Sequence, residues 1–412
     1  MISEKLIPAL RESADRSPEA LKRLAAELGL PLSHVAGIAS FYSELCGLDD
    51  GKVDLNFANG GKEGAMFAPA DYGKTLEICK NSTDIIGVLR AAGLVGRGGS
   101  AYNIADKWIV TKNAPGEKKY IICNGSEGEG ETYKDMKLML RAPHAILQGM
   151  LLCAAAIGAA KGFVYVRSEY PECFESMKKT VSEAELGGFE IEVVKGAGAY
   201  VCGEETALIR SIVGKRGEPT LKPPYPGING IFHKPTVINN AETFAAVSEY
   251  FLSGEVSKLF TVSGCVERPG VYELPYGVSV KEIAKLAGAG NIKGFRLGGG
   301  CTGRIYSANS LGMKLEAGTS LGTASLMFFG DAVSAREICT ESVEFLAQQS
   351  CGMCTPCRFG SVELAKLLKG CGNKDEIKKL CAYLRLSSRC GLGQSIPNTV
   401  ESAMAAFPEE FE

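Results

Sequence analysis

Histidine is scarce: the chain has three in 412 residues, and none beyond His233. Acid–base catalysis by imidazole therefore has little to draw on, and no nucleophile motif stands out. A dominant charge is also missing. Forty-five basic residues against 47 acidic ones leave a formal charge of −2, so no global field draws nucleic acid or an anionic membrane surface. Long apolar runs are absent. The longest, 149–160, has about 12 residues where a bilayer span needs ~20, and reads as a buried helix. The amino terminus, MISEKLIPALRESADRS, is charged throughout and has no apolar stretch of signal-peptide length, so the expected compartment is the cytoplasm. No internal repeat or low-complexity tract is seen.

Glycine and cysteine are plentiful. Fifty glycines exceed the usual ~7% share, and many cluster in loops, where bare backbone can approach a ligand. Fifteen cysteines in a reducing compartment are not a disulfide framework. Most read as small core residues, Cys153, Cys173 and Cys265 among them. At roughly 100–200 residues per domain the chain is too long for one core, and its 45% apolar and 22% charged content is globular.

The pattern divides the chain into five. Residues 1–48 are predicted helical: Ser17-Pro18 starts a helix with Leu21, Leu24, Ala25 and Leu28 on one face, Gly29 stops it, and a second helix starts near Ser33. That second helix has no Lys or Arg, which favours a docking or packing pair over a DNA-reading one. Residues 49–74 read as a linker, polar and glycine-bearing over 49–62. Across 75–250, strands at 120–124, 162–167 and 189–195 alternate with helices near 142–160 and 171–186. That rhythm predicts an α/β domain with a parallel sheet, and ligands at the carboxyl ends of its strands. Residues 251–332 form a small α+β module of β-grasp type, and 333–412 are helical.

Cys351, Cys354 and Cys357 follow C-x₂-C-x₂-C spacing. A loop of this pitch can present three thiolates to three irons of a [4Fe–4S] cluster. Zinc usually takes two separated cysteine pairs, or one pair with histidines, and neither follows here. The fourth thiolate is assigned to Cys390, in the glycine-flanked SSRCGLGQS. Cys371 also has glycine on each side and stays open, while Cys381 lies in a helical pattern and reads as core.

GLVGRGGSAYNIADKW, 93–108, places Gly96, Gly98 and Ala101 in a G-x-G-x-x-A match. A helical stretch precedes it, so it is no ordinary dinucleotide fingerprint. Its open backbone could still meet a flat ring or a phosphate, with Arg97 and Lys107 adding charge; a glycine-rich surface turn is the alternative. Asn124, Glu127, Glu129 and Glu131 crowd the next loop. Such carboxylates suit hydroxyl or amide groups better than a bare phosphate. Glu204 and Glu205 begin a helix, whose dipole alone could account for them.

Together GRGGSAYNIADKW, CNGSEGEGETYKD, GAGAYVCGEETALI, KPPYPGINGIFHKPTVINNAET and SCGMCTPCRFG…CGLG resemble, in that order, the flavin-bearing, NADH-oxidising subunit of respiratory complex I. Relatives in soluble NAD(P)-linked hydrogenases and formate dehydrogenases are similar. The likeness covers about 75–407. It implies a Rossmann-like flavin domain, a β-grasp insert of SLBB type and a C-terminal helical bundle with one [4Fe–4S] cluster. It implies FMN held by Gly96, Arg97, Gly98, Lys107, Asn124, Glu127, Gly203, Glu204, Asn239, Asn240 and Thr243. NAD(H) or NADP(H) would lie against Tyr102, Glu129, Tyr200, Glu205, Lys222 and Tyr225, with Glu129 and Glu205 positioning the nicotinamide. The activity implied is that of an NAD(P)H:acceptor diaphorase subunit.

Residues 1–48 look like the N-terminal helices of the thioredoxin-like [2Fe–2S] partner subunit, without its cluster domain. Electrons would then leave to that subunit and to a larger iron–sulfur catalytic subunit of hydrogenase or formate dehydrogenase type. The glycine loop departs from the family's Gly-Phe-Pro-x-Gly-x-Lys-Trp: here Ala101 to Trp108 read AYNIADKW, with Asp106 beside Lys107. Val110 and Ser126 replace an aromatic and an acid. These changes bear mainly on nicotinamide binding and support a rival reading, a non-catalytic electron relay with a degenerate nucleotide site.

Overall fold

The computed structural model describes residues 5–13, 15, 17–39, 41–42, 57, 60–82, 84–318, 321–370 and 372–412. Most of the polar stretch 49–62, and Cys371, lie outside them. Three helices come first: α1 (Leu6–Glu12), α2 (Pro18–Leu28) and α3 (Leu32–Ala39). Ser17 Oγ accepts from Ala20 N to cap α2, Pro18 opens it, and Gly29 at φ 62° closes it. Then follow α4 (Tyr72–Asn81), α5 (Ile85–Ala91), α6 (Ile104–Asn113), β1 (Tyr120–Gly125), α7 (Lys134–Arg141), α8 (Pro143–Ile157), β2 (Lys161–Val166), α9 (Pro171–Glu183), β3 (Glu190–Lys195), α10 (Glu205–Ile212), β4 (Thr236–Asn240) and α11 (Ala241–Ser253).

These four strands form one parallel sheet in the order β3-β2-β1-β4. The chain steps outward from β1 to β3, then returns to the far side of β1. The order reverses between β1 and β4, where Asn124 and Asn240 are register partners at the carboxyl ends. Ligands of open α/β sheets bind at such a crevice. Alternate residues serve the two faces. Ile121, Cys123, Val164, Val166 and Val237 pack with α8 and α11. Ile122, Phe163, Tyr165 and Ile238 pack with Leu208 of α10 and with Leu6, Ile7, Leu10, Val35, Ile38 and Tyr42. The N-terminal helices thus cover one face of the sheet. Helix α8 carries the long apolar run and is buried from Ala145 onward except at Ala155. Among the described residues no single helix is long and apolar enough to cross a membrane; α7 and α8 would pass together, but they bend by 95°.

A second sheet follows: β5 (Ser257–Gly264), β6 (Gly270–Pro275), helix α12 (Val280–Ala287), β7 (Gly294–Leu297), β8 (Arg304–Ser307) and β9 (Ser325–Phe329). Its order is β6-β5-β9-β7-β8, with only β5 and β9 parallel. Phe260, Ile283, Ala287, Phe295, Leu326 and Phe328 form its core. Cys265 corrects the core expectation: it is exposed, just past the end of β5, although its N–H still donates to Phe328 O at 2.9 Å.

The rest is helical: α13 (Ala335–Gln348), a π-turn at Pro356–Gly360, α14 (Ser361–Lys369), α15 (Lys374–Ser387), α16 (Gly391–Ser395) and α17 (Pro397–Ala406). Ile338, Val343, Leu364, Ile377, Leu384 and Val400 pack together, and Cys381 is fully buried among them.

Candidate functional site

The glycine loop folds onto the switch point. Gly96 N donates to Tyr102 O at 2.8 Å, and Arg97 N donates to Thr243 Oγ1 at 2.9 Å, tying the loop to α11. Asn103 caps α6 by accepting from Asp106 N, and one turn in, Lys107 Nζ donates to Ile238 O at 2.8 Å. Asp106 pairs with Arg90 at 2.7 Å on the outside. From β1, Asn124 Nδ2 donates to Gly203 O at 2.9 Å, so three loops converge here. Asn239 is buried at the end of β4, and Asn240 caps α11 by accepting from Glu242 N.

Several features fit a flat, polar-edged ligand. A Cβ on Gly98 would stand 3.2 Å from Asn240 Cβ, and one on Gly203 would stand 3.3 Å from Ser126 O. Glycine keeps these approaches open. Arg97 is 2% exposed, yet its Nε and Nη2 have no partner. Buried donors are rarely left unpaired, and a ligand rich in phosphate or carbonyl oxygen would satisfy them.

Sequence reasoning missed the charges behind this loop. Glu242 of α11 is buried among Lys258 (2.7 Å), Lys134 (3.3 Å) and Arg97 (3.5 Å). Burial would raise its carboxyl, but the three cations outweigh that and hold it down at about 2. Burial pulls Lys258 down to about 8 despite Glu242. Lys134 also pairs with Asp135 at 2.7 Å. Glu127 is buried, and its two oxygens accept from Asp135 N and Met136 N at the start of α7. Burial, with Asp135 nearby, pushes its carboxyl up to about 8.

The residues assigned to nicotinamide divide into two groups. Lys222 bridges Glu204 (2.9 Å) and Glu205 (3.0 Å), Lys107 lies 3.5 Å from Glu205, and the Lys222 ammonium sits 5.9 Å from the Tyr225 ring centre. Burial would raise the Glu205 carboxyl, but Lys107 and Lys222 hold it below the usual range. Glu204 also caps α10, accepting from Thr206 N and Ala207 N. Tyr102 and Tyr225 present exposed rings. Glu129 lies apart from this group. Its Oε1 accepts from Cys301 N and Thr302 N at 2.8 Å, its Oε2 accepts from the Tyr200 hydroxyl, and it thereby joins the first sheet's loop to the β7–β8 loop.

The four assigned thiols all belong to or pack against the core of the helical region. Cys351, Cys354 and Cys390 are half-buried against its core, and Cys357 is buried in the π-turn. Burial raises Cys351, Cys357 and Cys390, and the neighbouring thiols add to each shift. Backbone N–H groups of Leu392 and Gly393 oppose it at Cys390, which stands at the start of α16. Such a thiol set suits cationic iron, which stabilises thiolate. Among the described residues no three His, Cys, Asp or Glu side chains stand close enough to hold a single ion.

The segment Tyr200–Glu205 joins the two regions. Gly203 O accepts from Asn124 and Glu205 pairs with Lys107 on the sheet side. On the other side Glu204 and Tyr200 lie within electrostatic reach of Cys390, and Tyr200 packs edge-on against Phe345 of α13.

Residues 89–249 match the Nuo51 FMN-binding domain, and 337–412 match the NADH-ubiquinone oxidoreductase-F iron-sulfur binding region. The chain belongs to the NADH-quinone oxidoreductase-F family. It is 34% identical over 369 residues to the second NADH-quinone oxidoreductase-F chain of Rhizobium meliloti (strain 1021), covering 80% of this chain and 88% of that one. It is 35% identical over 370 residues to the HndC chain of the NADP-reducing hydrogenase of Solidesulfovibrio fructosivorans, covering 80% and 75%. A chain of the NAD+-reducing [NiFe]-hydrogenase, solved in the H2-reduced state, superposes with a TM-score of 0.89 at 26% identity, covering 100% of this chain and 93% of that one. Members of the oxidoreductase-F family are flavin and iron–sulfur oxidoreductase components, and the cofactors are FMN and [4Fe–4S].

Proposed function

We propose that this oxidoreductase-F family member is an NAD(P)H:acceptor diaphorase that feeds electrons to partner subunits of a hydrogenase, formate dehydrogenase or similar complex. When bound, FMN would supply the link between two-electron hydride chemistry and the one-electron chemistry of an iron–sulfur cluster. The residues around it bind and orient. Gly96, Gly98 and Gly203 leave space for the ring, while Asn124, Asn239, Asn240, Thr243, Arg97 and Lys107 offer polar edges. Glu127 shapes that floor through α7, and Glu204 through α10. Glu205, Lys222, Tyr225, Tyr102, Glu129 and Tyr200 would orient the nicotinamide nucleotide. Cys351, Cys354, Cys357 and Cys390 would hold the cluster. We divide the chain as 1–48, 49–74, 75–250, 251–332 and 333–412, with the fourth part an SLBB-type β-grasp insert. The partners would be a thioredoxin-like [2Fe–2S] subunit and a larger iron–sulfur catalytic subunit.

One observation carries this reading: Tyr200–Glu205 bonds to the glycine-loop crevice on one side and on the other packs into the helical core that the four thiols line. Its test is anaerobic. Purified protein should show flavin and iron–sulfur absorbance that bleaches on adding NADH or NADPH.

A second reading, a relay with a degenerate nucleotide site, draws on Glu129, whose two oxygens are both taken by the protein. A brown, flavin-free protein that responds to neither nucleotide would establish it. Glu129→Gln separates the two further: under the diaphorase reading it slows nicotinamide oxidation and leaves FMN bound.

A further inference from the structure

Arg216 has no part in the sites above, yet it reaches the thiol loop. Its Nη2 donates to Cys351 O at 2.9 Å. Glu218 lies 3.7 Å from Arg216 Nη1 and partly offsets its charge. The guanidinium lies over the Phe41 ring with 4.6 Å to the centre, a cation–π arrangement. Phe41 follows α3 in the N-terminal segment. Beside it, the buried Tyr42 hydroxyl donates to Lys215 O at 2.8 Å, fixing the backbone next to Arg216. The packing is close: a Cβ on Gly217 would stand 3.1 Å from the Tyr42 oxygen.

We propose that Arg216, held by Phe41, is a positioning residue through which the N-terminal helices set the reduction potential of the cluster on Cys351, Cys354, Cys357 and Cys390. The inference rests on the cluster assignment above. Reduction adds negative charge to the cluster, and cluster potentials follow net charge and hydrogen bonding near the ligands. A fixed cation beside Cys351 favours the reduced form and raises the midpoint. The Arg216 side chain is 44% exposed, so without the Phe41 ring the cation would be freer to leave Cys351 for bulk solvent, where screening weakens it. The fold thus gives the N-terminal segment an electrostatic hold on the cluster as well as a packing role.

The test is a potentiometric titration of the intact chain, read by low-temperature EPR. Arg216→Gln should lower the midpoint, and Arg216→Lys, which keeps the charge, should restore most of it. Glu218→Gln should shift it the other way, an independent check if Arg216→Gln loads poorly. Phe41→Leu should lower the midpoint in the parent and have no effect in the Arg216→Gln background. The same iron and sulfide content with an unmoved midpoint in both Arg216→Gln and Glu218→Gln overturns the proposal. An equal Phe41→Leu shift in both backgrounds overturns the role of Phe41. A parent protein that binds no cluster would instead overturn the assignment beneath it.

Discussion

Ser257 has one hydroxyl hydrogen and two carboxyl neighbours, Glu249 Oε1 at 2.6 Å and Glu273 Oε1 at 2.8 Å. One of those contacts needs a proton on the carboxyl. Burial pushes Glu249 up to about 7, so Glu249 supplies it. Between the unfolded carboxyl value, near pH 4.3, and pH 7, the native chain holds a proton that the unfolded chain releases. Stability from this group is therefore full below that window and is lost as pH rises through it. Glu249→Gln should flatten this part of the pH dependence. The check is the urea midpoint of variant and parent at pH 5 and pH 7.5, with the variant gaining relative to the parent at the higher pH. A second residue-scale prediction concerns the fourth ligand. Cys390→Ala should lose the cluster EPR signal, as should Cys354→Ala, while Cys371→Ala should keep it; the reverse order for 371 and 390 would reassign the site. The candidate triad Cys351, Cys354 and Cys357 stands out in the sequence because its spacing is local. Glu249 gives no such local signal, because its burial and its carboxyl neighbour Glu273 arise where α11 packs on the second sheet.

At the scale of elements, helix contact supplies the sharpest case. A Cβ on Gly149 of α8 would stand 1.9 Å from Phe244 O of α11, so the two helices touch backbone to side-chain-free backbone there. Gly149→Ala must push them apart, at a cost of about 1–3 kcal/mol or more. Gly312 has nothing within 4 Å of an added Cβ, and Gly312→Ala should change little. Urea unfolding of both variants gives the comparison. The same helices show what the sequence revealed. α8 was readable from its apolar run, and α2 from its cap, proline and closing glycine. β1, β2 and β3 were readable from compact apolar stretches. β4 went unread because only Val237 and Ile238 face the two cores, while its end is given over to Asn239 and Asn240 at the crevice. α7 went unread for a different reason: Lys134, Asp135 and Lys137 are buried, so its charges mimic an exposed segment. In both places the site's own chemistry replaced the packing signal.

At the scale of the whole molecule, Glu242 joins the two sheets. It sits in α11 of the first, accepts from Leu259 N at 2.9 Å, and takes the Lys258 ammonium of β5 on both oxygens. With Lys134 and Arg97 also beside it, it is the anion on which three buried cations converge. Removing one member of such a set leaves uncompensated charge in a dry place, at about 3–5 kcal/mol. Glu242→Gln should therefore cost more than Lys258→Met, which still leaves Glu242 two cations. The double variant should recover part of the loss by relieving cation repulsion. The junction also makes a prediction about cooperativity. The chain has one tryptophan, Trp108, buried in α6 against the first sheet's core. Its fluorescence reports that region alone, whereas far-ultraviolet circular dichroism reports the whole chain. In the parent the clamp makes the sheets unfold together, so the two signals should share one urea midpoint. In Glu242→Gln they should separate. Coincident midpoints in that variant would mean that the sheets are held together elsewhere, through Glu129 and the β7–β8 loop or through Lys137, whose Nζ donates to Val271 O of β6 at 3.2 Å, and that Glu242 only neutralises its neighbours.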